Sequence, residues 1–311
     1  MASELAKRLL EGDRRALTRV LTHVENGYPE GREELRDLYP RSGRAHIVGI
    51  TGPTGSGKST LMGALAREYR KRGSTVGIVA VDPTSPFSHG AILGDRIRMQ
   101  DLTADPGVFI RSMATRGALG GLAAATGDVV TVLDAAGNDV VLVETVGAGQ
   151  DEIEIADTAH TTVVINVPGA GDDMQAIKAG ILEIADILVV NKADHPAADS
   201  VFKQLHIFTD LQRQQGWDVP ILKTVAHKDQ GVTELFDAVQ KHREYLSESG
   251  RLEEMRRHRA RRQLLAVAQR MLLARAVEAS GTDRVEELVE AIAAYTLDPH
   301  TAAEQLVRHP P

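Results

Sequence analysis

The sequence predicts an α/β fold built on a doubly wound, largely parallel β-sheet, with helical extensions at both ends of the chain. Between residues 45 and 248, short apolar runs alternate with segments of helical periodicity. The apolar runs are rich in Val and Ile and mostly continuous, which is typical of strands buried on both faces. Polar and glycine-rich motifs follow the ends of several runs, where folds of this class bind their ligands.

Residues 1–44 are predicted to form an N-terminal helical region that packs against the main domain. Leu5 and Leu9 begin one apolar pattern of helical spacing, and Ala16 to Val24 continue in a second. Gly and Asp at positions 12 and 13 separate the two helices, and residues 26–29 end the second. The polar residues 32–44 are interpreted as a lead into the first strand.

The central segment, residues 45–248, is predicted to be one domain of alternating strands and helices. The strand candidates are residues 46–51, 75–81, 108–112, 139–145, 161–167, 186–191 and 219–224. The helix candidates are residues 58–72, 95–102, 118–136, 150–158, 172–184, 197–215 and 232–248. Repeated βαβ units of this kind predict a ligand site at the carboxyl ends of the strands.

A glycine-rich loop joins the first strand to the first helix of this domain. Its spacing, G-x-x-x-x-G-K-[ST], is that of a P-loop, formed by Gly52, Pro53, Thr54, Gly55, Ser56, Gly57, Lys58, Ser59 and Thr60. Glycines let successive backbone N–H groups turn inward, and together with the helix N-terminus these groups bind phosphates. We expect Lys58 to neutralise the β- and γ-phosphates and the Ser59 hydroxyl to bind Mg²⁺.

Acidic residues near two further strand ends are candidates to hold the metal. Asp82 and Asp95 flank a Pro- and Ser-rich segment after the second strand, and Asp95 is equally well explained as a helix cap. Glu144 ends a later strand and is followed by Gly147, whose N–H is expected to contact the γ-phosphate. Gln150 either orients the attacking water or simply begins the next helix.

The motif N-x-x-D with an intervening lysine, at Asn191, Lys192 and Asp194, predicts guanine recognition. A carboxylate can accept hydrogen bonds from guanine N1–H and the N2 amine together. Adenine lacks that amine and would leave the carboxylate unpaired. The Lys192 stem is expected to lie along the base, with Asn191 joining this loop to the P-loop. After the last strand, a loop is expected to donate backbone N–H groups to guanine O6; these groups belong to Val225, Ala226 and His227.

Bulk properties narrow the possible functions. The formal net charge of -7 disfavours nucleic acid as the main partner. There are 0 cysteines, which excludes disulfides, thiolate metal sites and cysteine nucleophiles. No apolar run approaches the roughly 20 residues of a membrane span, so we expect a cytoplasmic protein without a membrane partner.

Residues 249–311 are predicted to form a C-terminal helical arm. A basic run at residues 256–262 is best interpreted as a solvated helix face, although nucleic acid or an acidic partner would also fit it. An apolar stripe follows, formed by Leu264, Val267, Ala268, Met271 and Leu272. A second helix near Val285 and a short one that begins at Asp298-Pro299 complete the arm. The stripe must be buried on its own domain or on a second copy.

Together these motifs resemble the metallochaperone class of P-loop GTPases, and within it the MeaB/ArgK/MMAA group, GTPase chaperones of adenosylcobalamin-dependent acyl-CoA mutases. The resemblance covers almost the whole chain. It is carried by the P-loop, by Glu144 in the third motif where most GTPases have Asp, and by the segments at residues 81–88, 92–99, 109–117, 144–147, 168–175, 178–181 and 191–194. The chain departs from the group at His89, where a glycine is usual.

The resemblance implies GTP hydrolysis with Mg²⁺, and GTP-gated loading, protection or reactivation of a partner mutase, by default methylmalonyl-CoA mutase. It also implies switch segments at residues 82–98, 144–150 and 171–183, the last with a catalytic role for Lys178. Finally, it implies a homodimer through the C-terminal arm.

Two other functions remain open at this stage. Nickel-insertion GTPases share the core and the Glu144 position, but often carry His-rich or Cys metal sites, whereas the 11 histidines here are scattered. An ATP-dependent kinase is less favoured because of the guanine motif. A nucleotide competition assay distinguishes the kinase from the GTPase chaperone. A metal-binding measurement distinguishes the nickel-insertion protein from it.

Overall fold

The computed structural model describes residues 3–82, 99–114, 121–145, 151–168, 179–211 and 216–307. The strands are β1 (His46–Thr51), β2 (Val76–Asp82), β3 (Val108–Ala114), β4 (Val140–Glu144), β5 (Thr161–Asn166), β6 (Ile187–Val190) and β7 (Ile221–Lys223). The helices before β3 are α1 (Glu4–Leu10), α2 (Arg14–Glu25), α3 (Pro29–Leu38), α4 (Lys58–Lys71) and α5 (Gln100–Thr103). The later helices are α6 (Gly121–Ala135), α7 (Asp151–Thr158), α8 (Ala179–Glu183), α9 (Ala198–Leu211), α10 (Val232–Glu248), α11 (Arg251–Ser280), α12 (Thr282–Ala293) and α13 (Pro299–Val307).

The seven strands form one parallel sheet in the order β3-β2-β4-β1-β5-β6-β7. Strands β1, β4, β5 and β6 are buried along their whole length, as their continuous Val and Ile runs predict. Helices α4 and α10 cover one face of the sheet, while α6 and α7 pack on the other. The predicted doubly wound α/β fold is therefore confirmed, with a strand at each of the seven predicted places.

The N-terminal region contains one helix more than predicted. Helices α1 and α2 lie where the apolar spacing predicts them, but α3 occupies much of the stretch interpreted as a lead into β1. Pro29 stands at the first position of α3, where its missing N–H is not needed. The buried face of α3 includes Gly31 and Glu34 rather than a full apolar stripe, and the Glu34 carboxylate lies 3.1 Å from His23 Nδ1. A partly polar buried face explains why the apolar pattern missed this helix.

The N-terminal helices share a core with the main domain. Helix α2 packs against α6, and Val20 and Leu21 are completely buried there. Arg14 donates to the backbone carbonyls of Pro106 and Val108 near β3. On β3 itself, the Arg111 guanidinium forms an ion pair with Glu25 of α2. These contacts make the predicted packing of residues 1–44 on the main domain an observed feature of the fold.

A row of polar side chains, buried except for the half-buried Asp186, crosses the amino ends of the strands. Thr161 Oγ1 lies 2.9 Å from both His46 Nε2 and His242 Nδ1, and His242 Nε2 lies 3.3 Å from Asp186 Oδ1. Burial lowers the pKa of His242 to about 4 and raises the pKa of Asp186 to about 7. The Trp217 ring contacts His242 with 4.7 Å between ring centroids and the planes tilted by 51°, and its indole N–H donates to the Asp186 carbonyl oxygen.

The chain divides into two compact units, Met1–Met255 and Arg256–Pro311. In the second unit, Ser280 donates to the carbonyl oxygen of Leu306, and Arg284 donates to the Gln305 side chain. The Asp298 carboxylate accepts from the N–H groups of the first turn of α13, as predicted for an N-cap. Among the described residues, no helix is both long and apolar enough to cross a membrane.

Candidate nucleotide-binding site

The glycine-rich loop lies between the carboxyl end of β1 and the start of α4, at the centre of the sheet. Gly52, Gly55 and Gly57 all have positive φ angles, a conformation that side chains with a Cβ rarely adopt. A Cβ on Gly52 would lie 2.4 Å from the Ile165 carbonyl oxygen, and one on Gly57 would lie 2.5 Å from Asn191 Nδ2. The loop is therefore held against β5 and the Asn191 loop, and at two positions only glycine fits.

The side chains that begin α4 are held by the loop and by β4. Lys58 Nζ donates to the carbonyl oxygens of Gly52 at 2.9 Å and Pro53 at 3.2 Å, so its ammonium lies over the loop. Ser59 Oγ donates to Glu144 Oε1 at 2.8 Å, and both side chains are buried. A hydroxyl beside a carboxylate is a pair of hard oxygen ligands, so these two residues fit the requirements of Mg²⁺.

Two threonines join the ends of β1 and β4 beneath this site. Thr51 precedes the glycine-rich loop and Thr145 follows Glu144, and their Oγ1 atoms lie 2.9 Å apart in a buried contact. The Thr145 N–H also donates to the carbonyl oxygen of Ile50. Sequence reasoning missed this contact, because it depends on β1 and β4 being neighbours in the sheet.

The Asn191 loop is connected to the P-loop by two side chains, of which the sequence predicted Asn191 as a link and Lys192 as a contact to the base. Asn191 Nδ2 donates to the Ser56 carbonyl oxygen, and Lys192 Nζ donates to that of Gly55, each at 2.9 Å. Lys192 has a positive φ of 56°, a strained backbone for a lysine. The two motifs, far apart in the sequence, therefore form one site.

The segment after β7 holds Asn191 from the other side. Thr224 Oγ1 and the Ala226 N–H both donate to Asn191 Oδ1, at 3.0 and 3.2 Å. Val225 and Ala226 are buried, whereas His227 is exposed in a short 3₁₀ turn. Thr224 was not among the predicted residues, although its position at a strand end, two residues before Ala226, was the available signal.

Asp194 lies at the exposed edge of this site. Its carboxylate accepts a hydrogen bond from Lys228 Nζ at 3.2 Å, and this contact lowers the pKa of Asp194. An ionised carboxylate is an acceptor only, which is the state that guanine N1–H and the N2 amine require. Lys228 is thus a second residue of the site that the motif pattern did not reveal.

The described site brings together the P-loop, Glu144 and the Asn191 loop, which the sequence placed apart. Four predicted residues lie outside the described residues: Asp95, Gly147, Gln150 and Lys178. So do Pro83 to Arg98, with His89, and most of the predicted switch at residues 171–183. Asp82 is the last residue of β2, but its side chain is not described. The roles assigned to these residues, and the individual guanine contacts, stay predictions.

Comparison with known proteins now decides the family. The model of the family described as "Methylmalonyl Co-A mutase-associated GTPase MeaB" matches residues 17–281. The chain belongs to the MeaB family. It is 32% identical to GTPase ArgK of Escherichia coli, over 98% of this chain and 95% of that protein. It is 33% identical to the mitochondrial methylmalonic aciduria type A homolog of Caenorhabditis elegans, over 81% of this chain and 68% of that protein.

Other relatives agree with this assignment. A Pyrococcus abyssi protein, whose name gives it provisionally as a GTPase, is 49% identical over 99% of this chain and 96% of its own length. The crystal structure of an LAO/AO transport system kinase has a TM-score of 0.72 and 27% identity, and the match covers 98% of this chain and 96% of that one. The resemblance seen in the motifs is therefore confirmed, and this MeaB-family protein is a P-loop GTPase that binds GTP and GDP.

Proposed function

We propose that this GTPase is a metallochaperone that assists cofactor loading, protection or reactivation of an adenosylcobalamin-dependent acyl-CoA mutase of the methylmalonyl-CoA mutase type. The observation that carries the proposal is membership of a family described as mutase-associated. The name of the nematode relative points to the same metabolic step. We propose that it acts in the cytoplasm, where GTP is available.

The nucleotide site supports a GTP-dependent role of this kind. We propose that Ser59 and Glu144 hold Mg²⁺ with the nucleotide, with Asp82 and Asp95 as further candidates. Mg²⁺, when bound, supplies charge neutralisation at the β- and γ-phosphates. Lys58 adds a fixed positive charge, the P-loop N–H groups orient the phosphates, and Asp194 selects the base. Glu144 directly precedes residues 145–150, so we expect this segment to respond to the presence of the γ-phosphate.

GTP can control a mutase only if a segment that differs between the GTP and GDP states contacts it. We propose the segment at residues 171–183, with Lys178 as the group that acts on the nucleotide or on an acidic partner group. Mutase binding is then expected to accelerate GTP hydrolysis.

The test measures the GTPase rate with and without methylmalonyl-CoA mutase for the parent and for Lys178→Ala. We expect the substitution to remove most of the acceleration and to change the intrinsic rate much less. Lys203→Ala, an exposed lysine on α9, is the matched control and should behave like the parent. If the mutase neither alters the parent rate nor binds in a nucleotide-dependent way, the chaperone role is wrong.

We also propose that the C-terminal arm forms a homodimer. Helix α11 has 30 residues, and none of them is buried within the single chain. Its exposed apolar side chains include Leu264 at 68% and Leu272 at 65% exposure. An apolar surface of this kind on a helix typically marks a protein interface.

Light scattering tests the dimer. Leu272→Glu is expected to convert the full chain to a monomer that still binds GTP. Ile207→Glu is the matched control, because Ile207 is 64% exposed on the nucleotide-binding unit and should not affect assembly. A Leu272→Glu variant that remains a dimer would assign the arm another role.

A further inference from the structure

A cavity of about 690 Å³ lies at the amino ends of the strands, away from the nucleotide site. Arg44 lines it just before β1, and Asp139 lines it just before β4. Arg41, Arg72 and Arg243 complete a set of four guanidinium groups around the same space. Since β1 has six residues, roughly 20 Å of strand separates this cavity from the glycine-rich loop.

The two carboxylates that line the cavity already accept hydrogen bonds from neighbouring backbone and hydroxyl groups. Asp134 accepts hydrogen bonds from the backbone N–H groups of Arg44 at 3.1 Å and Ala45 at 2.9 Å, and from that of Gly43. Asp139 accepts from the N–H and the hydroxyl of Thr75, at 2.7 and 2.8 Å. Neither carboxylate forms an ion pair with an arginine of the cavity in the described part of the chain.

In the described part of the chain, one of the four arginines has an acidic partner. Arg72 forms an ion pair with Glu68, and its guanidinium lies 4.0 Å from the centroid of the Phe236 ring. Within the described ranges, Arg41, Arg44 and Arg243 take part in no ion pair, and all three are exposed. Four arginines and two carboxylates thus line the cavity, and three of the arginines form no ion pair with a carboxylate in the described part of the chain.

The three arginines that form no ion pair do not cap the nearby helix ends either. Helices α4 and α6 both end at the cavity, and the negative end of a helix attracts cations. However, Asn138 Nδ2 donates to the Leu133 carbonyl oxygen at the end of α6, at 2.7 Å. After α4, Arg70 donates to the Ser74 carbonyl oxygen at 2.6 Å. Among the residues that the structure describes, these carbonyl oxygens accept no hydrogen bond from Arg41, Arg44 or Arg243.

We propose that this cavity is a second anion site, which binds a small molecule carrying two or more phosphate charges. Guanidinium groups bind phosphate oxygens in pairs and are the favoured side chains for such ligands. The volume falls within the range of small-molecule pockets, about 300–1,000 Å³, and exceeds what a single phosphate would fill. The site goes beyond GTP hydrolysis and does not depend on the mutase proposal.

Inorganic pyrophosphate is the probe for this site. The full chain is saturated with fluorescently labelled GDP and excess Mg²⁺, and pyrophosphate binding is followed by calorimetry at low salt. We expect heat of binding without release of labelled GDP. Arg44→Ala and Arg243→Ala are each expected to weaken pyrophosphate binding at least tenfold. Arg243→Lys keeps the charge but loses the bidentate guanidinium, so its affinity should fall between those of the parent and Arg243→Ala.

Arg36→Ala on α3 is the matched control, since it removes the same charge from an exposed helix, and should change the affinity less than twofold. An equal loss in Arg36→Ala, release of labelled GDP by pyrophosphate, or no binding at millimolar concentration would each overturn the proposal. Weakened mutase association in Arg44→Ala, without pyrophosphate binding to the parent, would instead make this face a protein-docking surface.

Discussion

At the carboxyl ends of the strands, lysine and asparagine side chains bind the carbonyl oxygens of a glycine-rich loop, whereas at the amino ends four polar side chains in a row contact one another. The nucleotide end relies on three glycines with positive φ and on lysine and asparagine side chains bound to loop carbonyls. The amino end relies on the chain His46–Thr161–His242–Asp186 and on arginines around a cavity. Changes at the first end should act on nucleotide binding, and changes at the second on protonation and stability.

The largest effect is expected from Asp194→Asn at the nucleotide end. The amide presents a donor to guanine where the carboxylate accepted, so GTP affinity should fall by about 10³-fold or more. Xanthine nucleotides should gain relative to GTP, because their C2 oxygen accepts from the new amide. Competition between GTP and XTP measures this. Asp199→Asn, another exposed carboxylate paired with a lysine, should leave both affinities unchanged; an equal effect there would contradict the base-site assignment.

Gly57→Ala tests whether backbone conformation holds the loop. The added Cβ meets Asn191 Nδ2, and the φ of 90° is itself strained by about 1–3 kcal/mol. GTP and GDP affinities should both fall, by roughly tenfold to a hundredfold. Gly127→Ala on α6 is the control, since its Cβ meets nothing within 4 Å, and it should stabilise the fold by about 0.5–1 kcal/mol. Normal nucleotide affinity in Gly57→Ala would show that the loop relaxes freely.

Thr145→Val probes the contact between β1 and β4. It removes one hydroxyl and leaves Thr51 without its buried partner, which costs about 1–3 kcal/mol in stability. If the contact positions Glu144, the hydrolysis rate should fall about fivefold, equivalent to about 1 kcal/mol, with GDP affinity nearly unchanged. Thr145→Ser restores the hydroxyl and should recover the rate. Recovery of stability without recovery of kcat would limit the contact to a structural role.

The smallest effect belongs to Asp186→Asn at the amino end, and it depends on pH. Burial raises the pKa of Asp186 to about 7, so from about pH 4 to 7 the folded protein keeps a proton that the unfolded chain has lost. The contribution of Asp186 to stability therefore decreases as pH rises through this range. The unfolding free energy of the variant minus that of the parent should increase by at least about 1 kcal/mol from pH 4 to 7.

Taking this difference cancels the opposite contribution of His46, whose pKa burial lowers to about 3. His242, whose pKa burial lowers to about 4, contacts Asp186 directly, so its titration is followed separately in both proteins. Asp199→Asn is the control of opposite sign, because the Lys223 contact lowers the pKa of Asp199. A difference that stays flat from pH 4 to 7 would mean that Asp186 ionises normally in the folded state.

This contrast also explains what could be predicted from the sequence. The P-loop and the Asn191 motif are contiguous, and their geometry follows from glycines and short-range hydrogen bonds. The strands were predictable because fully buried parallel strands need continuous apolar runs. The order of the strands in the sheet is set by long-range packing, so contacts such as Thr51 with Thr145 were not predictable.

The amino end could not be predicted for the same reason. His46, Thr161, Asp186 and His242 are spread over nearly 200 positions, and none belongs to a recurring motif. Each is a single polar residue, and no local sequence pattern indicates that it contacts the others. Helix α3 escaped prediction differently, since its buried Glu34 is matched by His23 and therefore lowers the apolar count of the helix.

The contact of Trp217 with His242 and Asp186 gives the protein an optical reporter. Trp217 is the only tryptophan in the sequence, so its emission is free of signals from elsewhere in the chain. Its indole N–H is bound to the carbonyl of the residue whose side chain titrates near neutral pH, and its ring faces the histidine partner. We therefore expect intrinsic fluorescence to report the protonation of the amino end without any label, while the nucleotide is exchanged at the opposite end of the sheet.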